Sequence, residues 1–200
     1  MKNIKFKRIV AYFLDVCFVF FLSTAINQIN FINRDMDNYQ KTYDEYEEII
    51  GKTSMDELVD FSKSDEYNEL AFKIDLYSKS NLVIIFVVYL LYFGVFQKFN
   101  KGKTIGKNIM KIKVVDENGE NPSLFTFLLR TFILFGLYSN VLYLIFINTM
   151  NANDYMMYKG IVSSLVVIVF YTSALLILFK KDGKGIHEYL TKTKVIEESV

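Results

Sequence analysis

Four charged residues stand where their chemistry matters most: Arg8, Asp15, Arg130 and Glu188. Asp15 and Arg130 each interrupt a long apolar run. An ionisable group inside lipid is costly, and it marks either a functional site or a paired structural tie. Arg8 and Asp15 lie nearly two helical turns apart, which places them on one helix face ~10 Å apart along the axis. Arg8 has the reach to snorkel to the membrane interface, whereas Asp15 is too short to do so. Arg130 enters its own run to ~9 Å, a depth close to that of Asp15. The expectation is therefore an Asp15–Arg130 ion pair, with Arg8 left to meet Glu188 or lipid phosphate. The alternatives are a protonated Asp15 or an Arg130 that reaches lipid phosphate. A cluster of this kind can bind and release a proton or Na⁺ at Asp15, or it can simply tie helices together.

A second set of residues invites a different chemistry. Lys101-Gly102-Lys103-Thr104-Ile105-Gly106-Lys107 looks at first like a phosphate-binding loop. That loop needs a glycine five residues before its Gly-Lys-Thr, and Gln97 holds the position here. The segment reads instead as a basic turn and short interfacial helix, with Ile105, Ile109 and Ile112 facing lipid. His187 is the one histidine and stands beside Glu188. No His, Cys and carboxylate cluster has metal spacing, and one histidine supplies no hydrolase triad, so neither enzyme activity nor a cofactor is expected. Cys17 is the single cysteine, which excludes an intrachain disulfide, and a net charge of +1 gives nucleic acid no electrostatic hold.

These residues must be positioned by membrane helices. Four runs approach the roughly 20 apolar residues that a span requires: about 9–31, 77–97, 124–147 and 161–179. Pro122 is the only proline, so the runs carry no internal proline break. The first run is not a signal peptide, because Asp15 sits in its middle and the apolar stretch continues past the small residues Ser23-Thr24-Ala25. Fifteen of the 23 Lys and Arg fall before the first run, in the 97–123 loop, or after residue 179. By the positive-inside rule that side is the cytoplasm, so both termini are expected there. The expected fold is an all-α four-helix transmembrane bundle in one domain.

The 32–80 segment carries 13 acidic and 6 basic residues. Tyr39, Tyr43, Tyr46, Ile49 and Ile50 share one helical face, and Gly51 is placed to end that helix. Ser54-Met55-Asp56-Glu57 reads as a capping box for a second helix, with Leu58, Phe61, Tyr67, Leu70, Ile74 and Tyr77 on a looser stripe. Two amphipathic extracytoplasmic helices are expected, rather than a cation-collecting vestibule. Ile112–Val115 and Thr193–Ile196 alternate as short strands, with a turn at Asp116-Glu117-Asn118-Gly119, and are expected to pair.

Together these segments resemble the RDD family of bacterial membrane proteins, named for one arginine and two aspartates. Arg8 and Asp15 match its opening pair. Gly102, Lys103, Thr104, Gly106 and Lys107, followed by Asp116, Gly119 and Pro122, are similar to its middle segment, and Arg130 fits as well. Gly185-Ile186-His187-Glu188 is similar to its closing segment, with Glu188 where the second aspartate is expected. The likeness covers roughly 1–31 and 80–198 and leaves 32–79 as an insertion. It implies a multi-pass protein of the bacterial cell membrane and a transport role, with sodium–proton exchange through Arg8, Asp15, Arg130 and Glu188 as one form. The partners implied are the lipid bilayer, Na⁺ or H⁺, and a second copy or another membrane protein to complete a pathway. The alternative is a non-transporting accessory factor that binds lipid or a partner protein.

Overall fold

The computed structural model describes residues 2–29 and 35–198. Helix α1 (Lys2–Asn27) is followed by α2 (Met36–Lys52), α3 (Met55–Phe61), α4 (Asp65–Tyr77) and α5 (Lys79–Tyr89). The last runs on through a π-helical stretch, Leu90–Phe96, into α6 (Gln97–Phe99). Then come α7 (Ile105–Ile109), β1 (Ile112–Asp116), α8 (Leu124–Leu134), α9 (Tyr138–Thr149), α10 (Ala152–Phe179), α11 (Ile186–Thr191) and β2 (Thr193–Glu197).

Among the described residues, three helical stretches are long and apolar enough to cross a bilayer: Ile4–Asn27, Lys79–Phe99 and Ala152–Phe179. Helices α8 and α9 pass only when taken together as one span. The protein is thus an all-α membrane protein with a small sheet. The expected third span is not one helix. Gly136 interrupts it with φ of +61°, a conformation that L side chains rarely adopt, and an added Cβ would come within 2.8 Å of Val166. Both sides of the break are equally apolar, so hydropathy cannot reveal it. The fourth expected span starts earlier than its apolar run because Asn151 caps the helix, accepting from the Asp154 N–H at 2.9 Å. The expected end of the first span, Phe31, lies outside the described residues.

Strands β1 and β2 pair antiparallel, with Ile112 opposite Glu197 and Asp116 opposite Thr193, as their alternation leads one to expect. Asp116 closes the turn after β1, its carboxylate accepting from the Glu120 N–H at 2.9 Å. Ile105 and Ile109 are exposed on α7, but Ile112 is fully buried on β1. The lipid-facing assignment of Ile112 is therefore wrong: the backbone changes from helical to extended before it, which turns the side chain inward.

The chain divides into two compact units. One comprises residues 25–84 and 139–164. Its amphipathic helices form as the pattern indicates, with the Ser54 N–H donating to Glu57 at 3.0 Å. Helix α2 runs through Gly51 rather than ending there, and the second helix is divided into α3 and α4. Rings of Tyr46 and Tyr67 join α2 to α4 at 6.3 Å. Asp75 pairs with Lys159 and accepts from the Tyr155 hydroxyl at 3.0 Å, a tie the sequence reading missed. The other unit, residues 1–24, 85–138 and 165–200, holds the charged cluster.

Candidate functional site

Asp15 is fully buried on α1, and the chain supplies fixed donors around it. Its Oδ1 accepts from the Tyr92 hydroxyl and from the Gly106 N–H, each at 2.7 Å. Its Oδ2 accepts from the Thr104 hydroxyl at 2.5 Å, with Lys107 Nζ 3.9 Å away. The Gly-Lys-Thr segment explains itself in these terms. Gly102 has φ of +83° and lies against β1, where a Cβ would fall 2.3 Å from the Val114 carbonyl. Gln97 holds the turn, donating to the Gly102 carbonyl at 2.9 Å. Thr104 caps α7, accepting from the Lys107 N–H. Gly106 must lack a side chain because a Cβ would meet the Ala11 carbonyl at 2.3 Å and Asp15 Oδ1 at 2.9 Å. The segment is a clamp that closes on α1. Lys103 faces the other way and pairs with Glu198 at 3.0 Å.

Tyr92 belongs to the π-helical stretch, a feature that often re-aims a side chain at functional sites. Its hydroxyl also accepts from the Ile105 N–H at 3.0 Å. Gly94 in the same stretch admits α8, for an added Cβ would lie 2.6 Å from Leu128.

Glu188 forms a second centre, also fully buried. Its Oε2 accepts from Arg8 at 2.7 Å and from the Gly185 N–H at 2.9 Å, which caps α11. Its Oε1 accepts from Arg130 at 3.4 Å. Arg8 also donates to the Gly183 carbonyl at 2.5 Å, and Arg130 to the Thr193 hydroxyl at 2.8 Å. His187 Nδ1 lies 3.3 Å from the Ser173 hydroxyl. Burial pushes the Glu188 carboxyl up, but Arg130 and Arg8 outweigh it and hold the group at about 2. Burial, reinforced by Arg130, drives His187 well below its ordinary range, so the ring is neutral at pH 7. Burial likewise lowers Lys107 to about 8, against the attraction of Asp15.

The expected Asp15–Arg130 pair does not form. Arg130 turns to Glu188 and Thr193, and Asp15 takes neutral donors and Lys107. Depth along a helix does not set which way a side chain points around it, and Arg130 points to the α11 and β2 side. The Arg8–Glu188 contact is present as expected. Tyr92 and Ser173 carry no distinctive signal, as a Tyr in an apolar run and a Ser near a span end, and Thr193 reads from the sequence only as a strand residue rather than as a partner of Arg130.

The two centres flank a cavity of about 240 Å³, lined by Arg8, Asp15, Lys107, Arg130, Ser173 and His187 among apolar side chains. Among the described residues, no group of His, Cys and carboxylate side chains is placed to hold a metal ion.

The model of the RDD family matches residues 5–192. The chain belongs to the RDD family. No curated protein and no solved structure matches it. In this RDD protein the arginine and first aspartate that opened the resemblance serve different centres, and Glu188 engages the arginine from the far end of the chain.

Proposed function

We propose that this RDD protein is a non-enzymatic membrane carrier of the transport class, and that the cavity beside Asp15 is its ligand site. One observation carries the reading: a cavity in a membrane protein has Arg8, Asp15, Lys107, Arg130 and His187 set into an otherwise largely apolar wall. The proposed setting is the bacterial cell membrane with both termini cytoplasmic, and a second copy or partner completes any pathway. Sodium–proton exchange is the specific form of the reading in which Asp15 alternately holds a proton and Na⁺, leaving its Tyr92, Thr104 and Gly106 donors in one state. Flux of protons and Na⁺ into proteoliposomes tests it. Asp15→Asn is expected to abolish flux while leaving a folded protein.

A second reading, a non-transporting accessory factor, draws support from the saturation of both carboxylates by fixed donors. On that reading native protein moves neither ion, and Asp15→Asn shows itself only as lost stability. Orientation is tested in a Cys17-free background by labelling single cysteines from outside intact cells. Position 45 is expected to react and position 107 not; the reverse pattern would invert the proposed topology.

A further inference from the structure

The charge balance of the cavity bears on what it holds. Arg8, Lys107 and Arg130 share its wall, and the carboxylates that pair with them are Asp15 and Glu188. With His187 neutral, three cations stand against two carboxylates, so one positive charge is in excess. The arginines are not spent either. A guanidinium carries five N–H donors. Among the described residues, Arg8 uses its N–H groups on Gly183 and Glu188, and Arg130 uses its own on Thr193 and Glu188. An anion entering beside the arginines meets both the excess charge and unused donors.

The rest of the wall is apolar, and its exposed members locate the mouth. Ile9 and Tyr12 on α1, and Phe170 and Leu178 on α10, line the cavity and are also 52%, 37%, 41% and 44% exposed. The rings of Tyr12 and Phe170 meet at 6.5 Å, joining α1 to α10 beside that opening. The mouth therefore lies between two membrane helices, on surface that faces lipid. It is also near the end of both spans. Arg8 is about one turn inside the span that begins at Ile4, and Leu178 is beside the last residue of the span that ends at Phe179. Lys5 ties these two ends together, donating to the carbonyls of Leu178 at 2.8 Å and Lys180 at 3.0 Å. Span ends lie at headgroup depth.

We infer that the cavity binds an anionic phospholipid that enters sideways from the bilayer, its phosphate received by Arg8, Arg130 and Lys107 and its acyl chains lying between α1 and α10. The volume of about 240 Å³ is below the roughly 300–1,000 Å³ of pockets that enclose a whole drug-sized ligand. It suits a headgroup and the first methylenes, with the remaining chain left in the membrane. This inference rests on the reading of the cavity as the ligand site.

The test uses the purified full-length protein in a neutral detergent. Phosphatidylglycerol, phosphatidylcholine with the same chains, or inorganic phosphate is added, and bound lipid is counted by native mass spectrometry beside a thermal melt. Phosphatidylglycerol is expected to stay bound and to raise Tm by about 4 °C or more at saturation, with little response to the other two. Ala174→Phe fills the apolar wall without altering any charge and is expected to weaken retention at least about tenfold. Lys107→Gln preserves the shape of the wall and is expected to weaken it at least about threefold, so the inference stays testable if the larger side chain disturbs folding. Equal retention of phosphatidylcholine, a shift reproduced by inorganic phosphate alone, or retention unchanged in both variants would overturn it. Ion flux is a separate readout. Flux that needs Asp15, without selective lipid binding, removes the lipid and keeps the carrier. Selective binding that both variants weaken, without flux, keeps the lipid and removes the carrier.

Discussion

Asp15 and Glu188 are two carboxylates with the same charge and the same complete burial, yet the fold satisfies them in opposite ways. Asp15 is held by neutral donors, the hydroxyls of Tyr92 and Thr104 and the Gly106 N–H, with one lysine at 3.9 Å. Glu188 is held by two guanidinium groups and a single N–H. A buried charge met by dipoles can be neutralised and still leave its surroundings partly satisfied. A buried charge met by two cations cannot, because removing it strands both. The first arrangement suits a group that changes state, and the second suits a fixed strut between the start and the end of the chain.

The largest effect is therefore expected at the strut. Glu188→Gln leaves Arg8 and Arg130 without their carboxylate and should lower stability in detergent by about 3–5 kcal/mol. A double-mutant cycle sharpens the contrast: Arg130 should couple strongly to Glu188, while Arg130 and Asp15 should be additive to within about 0.5 kcal/mol. Gly106→Ala comes next. Its Cβ would press on the Ala11 carbonyl and on Asp15, and the clamp must shift at a cost of roughly 1–3 kcal/mol, read from the same melts. Asp15→Asn puts an amide donor among donors and should cost roughly 1–3 kcal/mol. A loss as large as that of Glu188→Gln would erase the distinction between the two centres.

The smallest effect is a pH slope. Glu188 is held near 2, so its contribution is complete above the ordinary glutamate range and is lost as pH falls from about 4.5 toward 2. His187 is depressed below its ordinary value. Below about pH 6.5 the unfolded chain gains a proton there that the folded chain refuses, which also lowers stability on acidification. Melting temperature should fall between pH 7 and 5, and His187→Gln should flatten that part of the curve.

Much of this was legible from the chain. Apolar run length located the membrane helices, β-branched alternation located both strands, and the Ser54 and Glu57 spacing located a cap. Placing Arg8 at the cytoplasmic face left Glu188 or lipid phosphate as its partner, and Glu188 is the one it meets. The failures share a cause. Charge and depth point Asp15 toward Arg130, whereas the hydroxyls and backbone N–H that hold it carry no charge to mark them in a sequence. The break at Gly136 and the π-helical stretch around Tyr92 depend on what each backbone segment packs against, which apolar composition does not encode.

The order of synthesis gives the two centres different histories. Gly106 is 91 residues after Asp15, and Glu188 is 180 residues after Arg8. At roughly 5–20 residues per second, Asp15 waits about 5–18 s for its clamp and Arg8 about 9–36 s for its carboxylate. During that interval Asp15 lacks the Gly106 N–H and Arg8 lacks the Glu188 carboxylate that the folded chain gives them. A chain that stops short of residue 188 lacks the carboxylate that Arg8 and Arg130 share, so the strut is the later of the two centres to be completed.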